Sequence, residues 1–295
     1  MITNVSATAE DTIMIEMFKE LFSPELVFLR YALLVGILAS PVLGVVGTLV
    51  VTRRISSLAG ASAHAALGGV GLALFLQRVC LLNWCTPTVG AIAGALLAAI
   101  TVGIVSLTAK EREDTVIAVV WALGMSVGLL FLERTPGYVD WQGYLFGNIL
   151  LLSQNDIIMT IILDAAVLLP VCLFYPAVLA MSFDSTFAEL RGIRVAVIYL
   201  VLLALTACTI VLLLNVVGII LVIALLTLPA ATAGCFTRHL WSTMVLGAVL
   251  SWLFVTGGLL SSFYYRLPSG PAIVVFAGTV YLAALGFSKW KGKRR

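Results

Sequence analysis

The sequence predicts an all-α, polytopic bundle of transmembrane helices. Of its 295 residues, 62% are hydrophobic and 11% are charged, whereas a soluble domain typically carries about 25% charged residues. The apolar residues form long blocks, several of them near the ~20 residues that cross a bilayer as a helix. These blocks do not alternate apolar with polar residues as barrel strands do. In lipid they become helices, because every backbone polar group must be paired within its own segment.

Nine apolar segments follow one another along the chain. Residues 62–76 would make a helix of about 22 Å, shorter than a hydrocarbon core of about 30 Å, which predicts a half-helix packed within protein. Residues 138–150 are semi-polar and aromatic, which predicts a re-entrant or interfacial helix. The expected architecture is therefore eight or nine spans that include these irregular elements. The nine segments are 27–51, 62–76, 88–108, 115–132, 157–181, 195–214, 216–234, 241–264 and 271–288.

The two ends of the chain differ from its apolar middle. Residues 1–25 form a polar, acidic tail without the positively charged start of a secretory signal. Residues 26–288 form the transmembrane domain, and residues 289–295 form a basic tail. If all nine segments cross, most lysines and arginines lie on the side of that basic tail. Because cytoplasmic loops carry an excess of these residues, the bias predicts an outside N-terminus and a cytoplasmic C-terminus.

The sequence lacks the motifs of the common enzyme classes. It contains no phosphate-binding P-loop, no His-Glu-x-x-His pair and no Rossmann glycine pattern. With two histidines in the chain, a metal cage of several histidines within one subunit is excluded. These absences favour a conduit over an enzyme.

Two ionisable residues lie within predicted spans. His64 is a candidate for a transport pathway, because a neutral imidazole binds borderline metals and because such residues usually face the bundle interior. The alternative is a histidine that only hydrogen-bonds to a neighbouring helix. Asp164 lies near Pro170 and Pro176. It has either a functional role or a bond to the backbone that the prolines leave unpaired.

Residues 183–194 form a short amphipathic stretch between two spans. Phe183, Phe187 and Leu190 fall on one helical face. Asp184 is suited to cap the start of a helix here, and Gly192 is suited to end it. The stretch is either a handle for a cytoplasmic partner or an interfacial helix that only caps the bundle.

Five stretches resemble the metal-type ABC permease family, whose members transport zinc, manganese or iron. Their order along the chain matches the order in that family. They are 53–74, with an arginine pair and Ala-His-Ala; 144–157, with Tyr-Leu-Phe-Gly; 184–195, with Asp-x-x-x-Ala-x-x-x-Gly; 225–234, with Pro-Ala-Ala-Thr-Ala; and 256–275, which matches the penultimate loop and last span.

The resemblance implies a transport subunit that is not itself an enzyme. A second permease subunit, identical or not, would complete the path, a cytoplasmic ABC ATPase dimer would drive it, and an extracytoplasmic metal-binding protein would deliver the metal. Neither a permanently bound cofactor nor a nucleic acid is implied. The substrate would be Zn²⁺ or Mn²⁺, with Fe²⁺ as a further candidate, and the location would be the bacterial cytoplasmic (inner) membrane.

The resemblance also assigns roles to residues. It makes His64 a candidate for the metal pathway, and Asp164 is a second candidate because a carboxylate within a span is costly. Residues 183–193 would be the coupling helix, with Asp184, Phe187, Glu189 and Gly192 at the contact with the ATPase; these positions are read from the sequence.

Gly60 departs from the family pattern, which has an aspartate four residues before the histidine. An aspartate and a histidine one helical turn apart face the same side and could both bind a metal. His64 lacks that partner here, so either other groups complete the site or a non-identical second permease supplies the carboxylate. From the sequence alone, two other functions stay open: a permease for a metal chelate of the siderophore or cobalamin kind, and a membrane scaffold that transports nothing.

Overall fold

The structure is a computed structural model that describes residues 27–108, 113–137, 143, 147 and 154–292. The predicted tail 1–25 and nearly all of the predicted interfacial helix 138–150 lie outside these residues. Throughout the described part of the chain the regular structure is helical. The helices are α1 (Val27–Thr52), α2 (Ser56–Val79), α3 (Pro87–Thr108), α4 (Glu113–Arg134), α5 (Gln154–Leu173), α6 (Tyr175–Phe183), α7 (Ser185–Leu190), α8 (Val195–Val217), α9 (Ile219–Gly234), α10 (Leu240–Tyr265) and α11 (Ser269–Gly292).

The number and length of the helices confirm the predicted polytopic architecture. Among the described residues, seven helices are long and apolar enough to cross a membrane, and α5 with α6 makes an eighth if this bent pair is one span. Helix α9 is apolar but shorter, with 16 residues. The chain is therefore a multi-pass membrane protein.

The predicted half-helix at 62–76 is wrong in its length. Helix α2 has 24 residues, which corresponds to about 36 Å, enough to cross a bilayer. Its first turns read as a loop in the sequence because residues 56–61 are small and partly polar. They are helical because tertiary packing buries them, from Leu58 through Ala61. Among the described residues, α9 is an apolar helix of only 16 residues.

The predicted single segment 157–181 is broken in two. Helices α5 and α6 meet at an angle of 71°. Proline removes a backbone donor and clashes with the preceding turn, and Pro170 lies in the last turn of α5. Pro176 lies in the first turn of α6, where its missing N–H would have had no helical partner in any case.

Helix α2 lies in the centre of its half of the bundle, packed against α4 on one side and α3 on the other. Both contacts are made through glycines. A Cβ on Gly124 of α4 would lie 2.7 Å from the Cα of Ala65, and one on Gly128 would lie 2.8 Å from the carbonyl oxygen of Leu67. On the other side, Gly90 and Gly94 of α3 are pressed against the backbone of α2. The GxxxG spacing thus serves close helix packing within one chain.

Two long-range hydrogen bonds show which connections share an end of the bundle. At one end, Nη1 of Arg53 donates to the carbonyl oxygen of Met181 (2.9 Å), which joins the α1–α2 connection to the end of α6. At the other end, Nη1 of Arg78 donates to the carbonyl oxygen of Pro136 (2.9 Å). The end that holds residues 53–55 and helix α7 is called the α7 end below.

Candidate functional site

His64 lies in the third turn of α2 and is half-buried. Its Nδ1 is buried and has no hydrogen-bond partner among the described residues. The imidazole stacks on the indole of Trp121 from α4, with 4.8 Å between ring centroids and 23° between ring planes. The ring is therefore held by stacking, and no bond from Nδ1 anchors it to a neighbouring helix in this part of the chain.

Trp121 also covers Gly60, one helical turn before His64. A Cβ on Gly60 would lie 3.1 Å from Cζ3 and 3.3 Å from Cη2 of the indole. The indole thus occupies the space into which a side chain at position 60 would project. Sequence reasoning missed Trp121, because an aromatic residue within an apolar span carries no signal of what it packs against.

Asp164 lies in the middle of α5 and is half-buried. Within the described residues, no hydrogen bond or ion pair joins its carboxyl group to the backbone around Pro170 and Pro176. Helix α5 packs mainly on α1 and α8, whereas α2 packs mainly on α4 and α3. The described residues contain no group of three or more His, Cys, Asp or Glu side chains that could hold a metal ion. His64 and Asp164 therefore belong to separate parts of the bundle.

An open groove of about 520 Å³ lies between α2, α3 and α4. Small and apolar side chains line almost all of it, among them Leu72, Leu97 and Val127. Metals bind oxygen, nitrogen and thiolate ligands in proteins. Cys85 and Thr101 line the groove, but they belong to no group of three or more His, Cys, Asp or Glu side chains within the described residues.

Helix α7 has both of the predicted caps. Oδ1 of Asp184 accepts a hydrogen bond from the backbone N–H of Phe187 (3.1 Å), which satisfies one of the unpaired donors at the helix start. At the other end, Gly192 has φ of 79°, and the N–H of Ile193 donates to the carbonyl oxygen of Ala188 (3.1 Å). This is a Schellman ending, and it needs the left-handed conformation that glycine adopts without strain. The helix itself covers 185–190, inside the predicted 183–193.

The apolar side chains of this segment point away from the bundle. Leu190 is 83% exposed and Phe187 is 47% exposed, whereas Ala188 is fully buried against the membrane helices. The guanidinium of Arg191 lies over the Phe187 ring, 4.9 Å from its centroid. Asp184 and Glu189 are exposed beside these apolar groups. The segment is thus rigidly capped, seated through Ala188, and apolar on its outer face.

Residues 25–288 match the family described as the ABC 3 transport family. The chain belongs to the ABC 3 transport family. This membership confirms the resemblance to metal-type ABC permeases that the five sequence stretches indicated. The chain is therefore a transport protein by family.

Curated relatives cover nearly the whole chain. The "Probable metal transport system membrane protein" of Chlamydia pneumoniae is 38% identical over 247 residues, which is 83% of this chain and 84% of the relative. The manganese transport system membrane protein MntC of Halalkalibacterium halodurans is 31% identical, with 90% of this chain and 92% of the relative covered.

A solved structure has the same architecture. PsaBC from Streptococcus pneumoniae, determined in complex with a Fab, matches with a TM-score of 0.80 and 29% identity, covering 92% of this chain and 95% of that one. This ABC 3 family chain therefore has the fold of an ABC permease along almost its entire length.

Proposed function

We propose that this chain is the membrane-spanning permease subunit of an ABC importer for a divalent transition metal. The observation that carries the proposal is the likeness to manganese and metal transport membrane proteins over 83% to 90% of the chain. A cytoplasmic ABC ATPase dimer would supply the energy, a second permease subunit would complete the path, and an extracytoplasmic metal-binding protein would deliver the ion.

His64 is the proposed ligand in the path. Its imidazole lies at membrane depth on the most buried span, and its Nδ1 has no partner in the described part of the chain. Imidazole suits zinc and iron, whereas carboxylate oxygens suit manganese. Since Trp121 fills the space beside Gly60, a carboxylate for Mn²⁺ would come from the second permease subunit. The names of the relatives favour Mn²⁺, the nitrogen ligand favours Zn²⁺, and both remain proposed substrates with Fe²⁺.

Asp164 is proposed as a second polar group along the path. Its carboxyl group is half-buried within a span, a costly position for a group without a role. Because it lies on a different helix pair from His64, it would act at a separate step of passage and not as a second ligand of one site.

The α7 segment is the proposed docking element for the ATPase. Exposed apolar side chains at Phe187 and Leu190, framed by the carboxylates of Asp184 and Glu189, offer a partner both an anchor and charges. The α7 end also holds Arg53, Arg54, Arg191 and Arg194 at its connections. Because cytoplasmic loops carry an excess of lysine and arginine, this end would face the cytoplasm of the bacterial cell.

The test is radiometal uptake into proteoliposomes that contain this chain with its ATPase, second permease and binding protein. We expect ATP-dependent uptake of free metal ion. Uptake of an intact siderophore or cobalamin complex in its place would overturn the free-metal proposal in favour of a chelate permease. A chain that binds no ATPase and moves neither substrate would be a scaffold.

His64→Ala tests the ligand within this assay. We expect uptake at limiting metal to fall about tenfold or more, as for loss of a group that binds a metal. His239→Ala is the matched control, because His239 is the other histidine of the chain and is exposed at the start of α10. Equal uptake by both variants would remove His64 from the path.

A further inference from the structure

We infer that Arg53 is a positioning residue that transmits movement of the α7 segment to α2, the helix of His64. The inference rests on the proposed function, since it concerns how ATP-driven movement would reach the transport path. Arg53 lies in the three-residue connection between the end of α1 at Thr52 and the start of α2 at Ser56.

One side chain here joins three parts of the bundle. Nη1 of Arg53 donates a hydrogen bond of 2.9 Å to the carbonyl oxygen of Met181, 128 residues further along the chain. Met181 is fully buried in the last turn of α6, three residues before the Asp184 cap of α7. The guanidinium also lies over the ring of Tyr199 of α8, 5.7 Å from its centroid.

The bond has chemical reasons to be strong. The last carbonyls of a helix have no partner within it and carry the negative end of its dipole. A guanidinium that donates to such a carbonyl makes a charge-assisted bond, and the face of the Tyr199 ring, 5.7 Å away, attracts the cation. The connection between α1 and α2 is thereby tied directly to the end of α6.

The guanidinium is not fully paired in this arrangement. Its Nε is buried and has no hydrogen-bond partner within the described residues. A buried, unpaired donor costs stability. A role in stability alone therefore does not explain why Nε of Arg53 is left without a partner among the described residues. The Nε–H group is a donor that a second arrangement of the α1–α2 connection could use, as a switching contact requires.

The path from Arg53 to His64 is short and stiff. Helix α2 runs without a proline from Ser56, and His64 follows within three turns. The helix is held on two sides by backbone contacts to glycines of α3 and α4. A displacement of its first turn therefore moves the imidazole as part of one rigid element.

The test measures metal ions imported per ATP hydrolysed in the complete reconstituted transporter. For Arg53→Ala we expect ATP hydrolysis within about twofold of the unmodified complex and uptake lower by about tenfold. The variant loses the bond to Met181 that transmits movement, whereas the ATPase itself is unchanged. Arg53→Lys keeps the charge but not the planar group, so it should restore part of the ratio. Arg54→Ala removes a charge from the same connection, where Arg54 is exposed, and should leave the ratio unchanged.

Three results would overturn the inference. Unchanged hydrolysis and unchanged uptake for Arg53→Ala would show that the bond transmits nothing, and a fall of both in the same proportion would show a structural role only. If Arg53→Ala fails to assemble, Arg53→Lys decides, and an unchanged ratio for that variant overturns the inference. Absence of ATP-driven uptake by the unmodified complex would instead refute the proposed function, so the two failures are distinguishable.

Discussion

The two membrane-embedded candidates, His64 and Asp164, lie in regions built in opposite ways. The helix of His64 contains no proline, and 78% of its most apolar window is buried. The helix of Asp164 ends at a 71° bend, and apolar neighbours of Asp164 such as Ile161 and Ile162 are exposed. Helix α2 is in close contact with glycines of α3 and α4, and a helix packed in this way can hold a side chain at a fixed position. A bent helix with an exposed face leads instead into the capped α7 segment and is suited to movement. The same sequence argument selected both residues, yet close packing fixes the position of His64, whereas Asp164 lies on a helix that ends at a bend.

Gly124→Val should have the largest effect, because it disrupts the close contact between α2 and α4. A Cβ at this position would lie 2.7 Å from the backbone of Ala65, and backbone cannot yield as a flexible side chain can. We expect a loss of about 3 kcal/mol or more of stability, at the upper end for overpacking. Thermal unfolding in detergent measures it.

Gly278→Val is the matched control for this substitution. Gly278 lies in α11, and a Cβ there would meet no atom within 4 Å, so its melting temperature should stay near that of the unmodified chain. Equal melting temperatures for both variants would show that the α2–α4 contact is not tightly packed.

Gly192→Asp should abolish uptake and leave the membrane helices folded. Its φ of 79° strains a residue with a Cβ, and nothing else lies within 4 Å of the position, so the damage is confined to the end of α7. Uptake and melting temperature are measured together. Asparagine and aspartate tolerate the left-handed conformation about equally, but aspartate adds a negative charge at the C-terminal end of α7, where the helix dipole disfavours it. Gly192→Asn matches the backbone strain without that charge and should retain most of the uptake. Normal ATP-driven uptake by a well-inserted Gly192→Asp protein would contradict a coupling role for α7.

Asp164→Asn should have the smallest effect of the series. The carboxyl group makes no hydrogen bond within the described residues, and single polar contacts in membrane bundles are worth about 0.6 kcal/mol, or roughly threefold. We expect uptake within about threefold of the unmodified protein. A loss as large as that of His64→Ala would contradict separate steps of passage for the two residues and erase the distinction between the two regions.

Local chemistry explains what the sequence predicted correctly. Hydropathy marks a span wherever it occurs, so the segments of α1, α3, α4, α8, α10 and α11 agree with the predicted ones within a few residues. The caps of α7 at Asp184 and Gly192 were predictable for the same reason, since each depends on residues three or four positions away.

Long-range packing explains what the sequence could not predict. Residues 56–61 are helical because neighbouring helices bury them, and their composition alone does not show this. The stack of Trp121 on His64 and the bond from Arg53 to Met181 join residues far apart in the chain. A single sequence contains no information on which side chains meet across such distances.

The connection between α6 and α7 is very short. Helix α6 ends at Phe183 and helix α7 begins at Ser185, so a single residue, Asp184, separates them, and its carboxylate is already engaged with Phe187. Movement of the short helix independent of the longer one would be limited, because Asp184 contributes only two backbone dihedral angles and its side chain caps α7. A displacement of α7 would therefore be passed directly to the membrane helices, because the connection at Asp184 does not act as a flexible hinge.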